Sequence, residues 1–201
     1  MRRVRTAVLI SGGGSNMLAL LEAASRADYP ADICLVLANN PDAGGLGKAE
    51  GKGIKTEIVD HRPFGKDRAG FDQMVHARLI ANRIEFVALA GFMRILTPDF
   101  VALWQGRMVN IHPSLLPKHK GLHTHARALE AGDTEHGCTV HWVSADLDAG
   151  DIIAQAQVPV LPGDNEAQLA ARVLMKEHAL YPEALAAAIL SQASRQALPL
   201  S

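Results

Sequence analysis

The stretch Thr6-Ala7-Val8-Leu9-Ile10-Ser11-Gly12-Gly13-Gly14-Ser15-Asn16 sets the fold. Its first five residues form a short apolar run, as expected of a strand buried on both faces. The glycines that follow let the backbone turn sharply and come close to a ligand. Residues 16–26 then read as a helix, with Ser15 as its cap. The free N–H groups and dipole of such a helix face an anion, and a phosphate is the obvious guest. No Gly-Lys-Ser/Thr follows, so this is not a Walker loop. The spacing Gly12-x-Gly14-x-x-Met17 lacks the third glycine of the dinucleotide fingerprint, and the second apolar run ends in Asn39-Asn40 rather than an acid. A plain tight turn is the competing reading of the same residues.

Working outward, strand-like and helix-like segments alternate. Residues 33–38 (ICLVLA) read as a buried strand, 43–53 as a glycine-interrupted helix, and 55–59 as a strand. Residues 70–82 have helical periodicity, with Phe71, Met74, Val75, Arg78 and Leu79 spaced along them. Residues 86–90 (FVALA) form a fourth strand closed by Gly91. Parallel strands need crossover helices, so this order predicts a doubly wound, mostly parallel α/β sheet. The pattern then changes. A strand over 108–111 leads into an irregular loop over 112–124. Strands at 137–143 and 152–160, with little between them, suggest an antiparallel pair, and a long helix over 166–190 closes the domain. Residues 191–201 carry no strong signal, so the expected organisation is one domain over 1–190 with a C-terminal tail.

The 201 residues include 20 Lys and Arg against 21 Asp and Glu, a net charge of -1. That balance gives no global reason to expect nucleic acid or an anionic membrane as partner, although local groups can still bind a small anion. Cys34 and Cys138 lie in apolar, strand-like runs without zinc spacing, which suggests two reduced, buried thiols. The apolar run after the basic N-terminus is too short for a signal peptide, and no stretch approaches a membrane span. The expectation is a cytoplasmic, unprocessed protein.

Chemistry has two further places to reside. Asn110 and His112 alternate along a strand and so share a face. They sit at its carboxyl end, where open parallel sheets place their sites. Histidine titrates near neutrality, and asparagine offers an uncharged donor to an oxyanion. A structural histidine beside a rigid proline loop is the bland alternative. Asp146, Asp148 and Asp151 surround a glycine turn; one of these acids placed beside His112 favours its charged form. An acidic surface turn is the competing reading. The acids lack calcium-loop spacing. His119, His123 and His125 crowd the loop without a Cys or Glu-x-x-His pattern, so no metal is expected. His61, His76, His136, His141 and His178 show no cluster by spacing.

Taken together, LISGGGSN (residues 9–16), LAGFMRIL (89–96), NIHPSLLP (110–117), GLHTH (121–125), DLDAGDII (146–153) and EHALYP (177–182) resemble the phosphoribosylglycinamide formyltransferase family. These are the monofunctional glycinamide ribonucleotide transformylases of the folate-dependent formyltransferase superfamily. The resemblance spans nearly the whole chain in the family's order and implies a Rossmann-like fold. It implies that Asn110, His112 and Asp148 are the catalytic trio and that Gly14, Ser15 and Asn16 bind the substrate phosphate. It further implies that Glu177 contacts the ribose, and that Arg68, Met93, Arg94, Ile95, Leu96 and Asn110 face the folate. The co-substrate would be 10-formyltetrahydrofolate, with no metal and no NAD. The partners would be small molecules, with neither nucleic acid nor membrane, and the protein a monomer or weak homodimer. Two local departures stand out. Lys118-His119-Lys120 is more basic than in many relatives, some of which have Tyr-Pro there, and Gly13 replaces an Asn found in some.

Three other readings share parts of this pattern. A methionyl-tRNA formyltransferase would need more chain and a basic surface. A 10-formyltetrahydrofolate hydrolase would use the same trio with water and would be expected to carry an N-terminal regulatory domain. A non-catalytic nucleotide-binding domain of Rossmann type fits the glycine loop but has no need of the trio.

Overall fold

The computed structural model describes residues 2–197. Five strands run parallel: β1 (Val4–Ile10), β2 (Ala31–Ala38), β3 (Thr56–Ile58), β4 (Phe86–Leu89) and β5 (Met108–His112). Two more, β6 (Glu135–Trp142) and β7 (Ile152–Pro159), continue the sheet antiparallel. The order is β3-β2-β1-β4-β5-β6-β7, with β1 inside the sheet and the chain winding outward to either side of it. This is the doubly wound, mostly parallel α/β sheet expected, with its antiparallel C-terminal pair.

Helices cover both faces: α1 (Ser15–Ala24), α2 (Gly45–Glu50), α3 (Arg68–Ala81), α4 (Pro98–Leu103), α5 (Thr124–Glu130) and α6 (Glu166–Ala197). β1 shows why its run from Ala7 to Ile10 is apolar. Val8 and Ile10 pack with Met17, Leu20, Tyr181 and Leu185, which come from α1 and α6. Ala7 and Leu9 point the other way, onto Phe71, Val75, Leu79 and Trp104 around α3 and α4. Alternate residues of one strand thus feed two cores, which favours apolar side chains on both faces.

Several expectations change in detail. The cap of α1 is Gly14, not Ser15: Gly14 adopts φ +70°, a left-handed conformation that glycine takes without a Cβ penalty, and no side chain caps the helix. α3 begins at Arg68, two residues early, because Asp67 accepts from the Gly70 N–H (2.9 Å) and starts the helix there. Of the residues spaced along that helix, Phe71, Val75 and Leu79 are buried and Met74 is 42% exposed. α4 and α5 were not anticipated. α6 does not stop at Leu190 but continues to Ala197, and residues 198–201 of the expected tail lie outside the described residues. Cys138 is buried, but Cys34 is only half-buried; both are free thiols. Among the described residues, no helix is long and apolar enough to cross a membrane.

Candidate active site

A cavity of about 600 Å³ opens beside the ends of β4 and β5 and meets the first residues of α1. Asn110 and His112 reach it from β5, as strand alternation requires. β6 lies beside β5 with His141 directly opposite Asn110. The long turn between β6 and β7 brings Asp148 over the same face. Asp148 adopts φ +49°, a left-handed conformation that aspartate tolerates better than most residues.

The polar groups interlock. Asp148 Oδ2 stands 3.4 Å from Nδ1 of His112, and both side chains are nearly sealed from solvent at 7% exposure. The same Oδ2 accepts the Gly121 N–H at 2.9 Å, which ties the irregular loop after β5 to the acidic turn. On its other side, His112 Nε2–H donates to the carbonyl of His119 (3.0 Å). His119 is in turn held by Asp133, whose Oδ2 lies 2.6 Å from its Nε2. Hydrogen bonding to His119, the main cause, and to Lys118 lowers the Asp133 pKa.

His141 orders Asn110. Its Nδ1 donates to the Trp142 carbonyl (3.0 Å), so in the neutral ring Nε2 carries the lone pair. Burial, the largest cause, lowers the His141 pKa and favours that neutral ring. The Asn110 amide then donates to Nε2 at 3.2 Å. One amide hydrogen is fixed, leaving the second free to point into the cavity.

α1 and α6 also contribute to the cavity lining. Asn16 Nδ2 donates to Glu177 Oε2 at 2.6 Å, and Glu177 is only 6% exposed. Burial raises the Glu177 pKa, with the Asn16 hydrogen bond opposing it. Asn16 Oδ1 is buried without a protein partner. In the loop that leads to Asn16, the N–H groups of Gly12, Gly13 and Gly14 find no acceptor among the described residues. Free amides beside a helix N-terminus suit an anionic guest, and the buried Asn16 oxygen suits a hydrogen-bond donor on it.

The structure therefore gathers most of the expected site residues. Asn16, Met93, Arg94, Ile95, Leu96, Asn110, His112, Asp148 and Glu177 all line the one cavity. Gly14, Ser15 and Arg68 do not line it. Gly14 and Ser15 immediately precede Asn16, and Arg68 lies exposed at the start of α3. His123 and His125 of the irregular loop also face the cavity. His141 was missed because its role depends on the register between β5 and β6, which no local pattern reveals. His136 was missed likewise; its Nε2 lies 3.1 Å from Nδ1 of His125. Among the described residues, no three His, Cys, Asp or Glu side chains are placed to hold a metal ion.

Comparison with known proteins shows to which family this doubly wound sheet belongs. The formyl transferase family model matches residues 4–185, and the chain belongs to that family. It is 47% identical over 175 residues to phosphoribosylglycinamide formyltransferase of Escherichia coli (strain K12), covering 87% of this chain and 82% of that one. It is also 49% identical over 187 residues to the trifunctional purine biosynthetic protein adenosine-3 of Drosophila melanogaster. That match covers 92% of this chain but only 14% of the much longer relative. The crystal structure of phosphoribosylglycinamide formyltransferase from Brucella melitensis superposes with a TM-score of 0.86 at 47% identity, over 100% of both chains.

Proposed function

We propose that this chain transfers the formyl group of 10-formyltetrahydrofolate to the glycyl amine of phosphoribosylglycinamide, a step of de novo purine (IMP) biosynthesis. The observation that carries the reading is the convergence of Asn110, His112 and Asp148 in one cavity that Asn16 and Glu177 also line. The names of the E. coli and B. melitensis relatives support the same reading.

In this mechanism the ribonucleotide phosphate sits at Gly14, Ser15 and Asn16, and Glu177 takes the ribose. The formyl folate lies along Met93, Arg94, Ile95 and Leu96, with Arg68 reaching its outer end. The amine attacks the formyl carbon and a tetrahedral oxyanion forms. Asn110 donates its free amide hydrogen to that oxygen, and the His112 imidazolium adds a second donor. To do so His112 turns an N–H from its protein acceptor toward the oxyanion. Removing one such donor typically raises the barrier by roughly 3–4 kcal/mol. Asp148 pairs with the imidazolium and, through water, helps carry the proton from the attacking amine to the departing folate nitrogen. No covalent enzyme intermediate is required, and holding two substrates in contact supplies much of the rate. The working unit is proposed to be a cytoplasmic monomer or weak homodimer, which sedimentation in solution checks.

The test follows deformylation of a 10-formyl folate with and without the ribonucleotide. Loss of the formyl group that requires the ribonucleotide, and that His112→Ala abolishes, supports the transferase. Loss that ignores the ribonucleotide replaces it with a hydrolase. No loss at all leaves only a binding domain.

A further inference from the structure

Ser11, in the loop that leads to Asn16, is hydrogen-bonded to the cavity-lining segment at Gly91 and Met93. It is the first residue after β1 and opens the glycine loop that leads into α1. Its N–H donates to the carbonyl of Gly91 at 3.1 Å. The Met93 N–H donates back to Ser11 Oγ at 2.7 Å. The serine's own hydroxyl hydrogen goes to Oδ1 of Asn39 at 2.5 Å, a side chain buried at the end of β2. A hydroxyl has one hydrogen and two lone pairs. With the hydrogen committed to Asn39, a lone pair is left oriented at Met93.

The segment that Ser11 grips packs on the core at Phe92 and Leu96, and the residues between them depend on other anchors. Residues 92–97 form neither helix nor strand, and the chain enters them through Gly91 at φ +72°. Met93 and Ile95 are 64% and 57% exposed, so their own packing fixes them little. The far end is held separately: the Thr97 N–H donates to Oδ2 of the buried Asp72 at 2.6 Å. Asp72 belongs to α3, behind the segment, whereas Ser11 belongs to the glycine loop. Of these two anchors, it is Ser11 that ties the segment to the glycine loop.

We infer that Ser11 is a positioning residue that sets the Met93, Arg94, Ile95 and Leu96 wall against the glycine loop, so that the formyl donor and the phosphorylated acceptor are held in one frame. The inference rests on the assignment of those two regions to folate and phosphate under Proposed function. Removing the hydroxyl leaves both the Met93 N–H and Asn39 Oδ1 without partners, and the segment can settle elsewhere. A shift of about 1 Å between reactants is enough to slow transfer strongly.

Two measurements on the full chain test this. Hydrogen–deuterium exchange, read without any ligand, reports directly on residues 91–97. Exchange there is expected to quicken in Ser11→Ala and to return to the wild-type rate in Ser11→Thr, which keeps the hydroxyl. Steady-state kinetics report the consequence. In Ser11→Ala the KM for 10-formyltetrahydrofolate should rise roughly 3- to 10-fold, the range of one lost hydrogen bond, while the KM for the ribonucleotide changes less than about 2-fold. Unchanged exchange and an unchanged folate KM would overturn the inference, as would an equal rise in both KM values. If Ser11→Ala does not fold, Ser11→Cys keeps a similar size with a weaker acceptor and is read in the same way. A wild-type protein without transfer activity removes the functional reading, and the exchange comparison still decides whether Ser11 holds the segment.

Discussion

Asp148 is held at φ +49° with its carboxylate shared between His112 and the Gly121 N–H. Its charge, more than its shape, matters to the proposed chemistry. Asp148→Asn should keep the fold, because asparagine also tolerates the left-handed region and can still accept the amide hydrogen. Turnover should nevertheless fall by roughly 100-fold or more, the usual contribution of a positioned acid–base group. Near-wild-type kcat in a variant with an unchanged melting temperature would remove Asp148 from the mechanism. His141 makes a different prediction. His141→Leu takes away the acceptor that orients the Asn110 amide, so kcat should drop by about 10-fold, as for one lost hydrogen bond. The folate KM should change little, because the Met93 to Leu96 wall is untouched. A large rise in that KM with unaltered kcat would contradict the assigned role.

At the level of elements, close backbone packing against α2 sets the shape of the glycine loop that leads into α1. The Gly45 N–H donates to the Gly12 carbonyl at 3.0 Å. A Cβ on Gly45 would lie 2.5 Å from Ile10 Cδ1, 3.1 Å from Gly12 O and 3.2 Å from Gly14 Cα. Gly45→Ala should therefore push α2 off the loop and cost about 1–3 kcal/mol, as overpacking does. Urea titration checks this, and a variant as stable as the wild type would show that α2 adjusts freely. The same packing explains what was legible beforehand. The continuous apolar runs and the glycine turn gave away β1, β2, β4 and α1, because both faces of those strands are buried. Asn110 and His112 were legible because two alternate residues at a strand end must share a face. α4 carried a readable start in Thr97, whose Oγ1 accepts the Phe100 N–H, followed by Pro98, but its brevity hid it. Capping of α1 by Gly14 and the contact of His141 with Asn110 were not legible. Both depend on how separate segments dock, through the close approach of Gly45 in one case and the β5–β6 register in the other.

Over the whole molecule, buried titratable groups make stability depend on pH. His136 is pushed down to about 4, chiefly by burial and then by the neighbouring His125 and His119, with Asp133 opposing. Burial is also the main cause of the lowered His125 and His141 values. An unfolded histidine titrates near 6.5. Between about pH 6.5 and pH 4 the unfolded chain therefore binds more protons at these positions than the folded one, and stability falls as the pH falls through that window. Glu177 works against this trend. Its raised folded pKa means that the native state gains a proton before the unfolded state does, which adds stability as the pH falls toward the ordinary glutamate range. Three lowered histidines against one raised glutamate should leave a net loss on acidification. The urea midpoint is expected to drop steadily from pH 7 to pH 5. His136→Asn removes the most displaced of the three groups, so the slope of midpoint against pH should become shallower even if the variant is less stable at pH 7. A slope equal to that of the wild type would mean that His136 is protonated within the fold at mildly acidic pH, and that the cluster of His119, His125 and His136 rearranges to admit the charge.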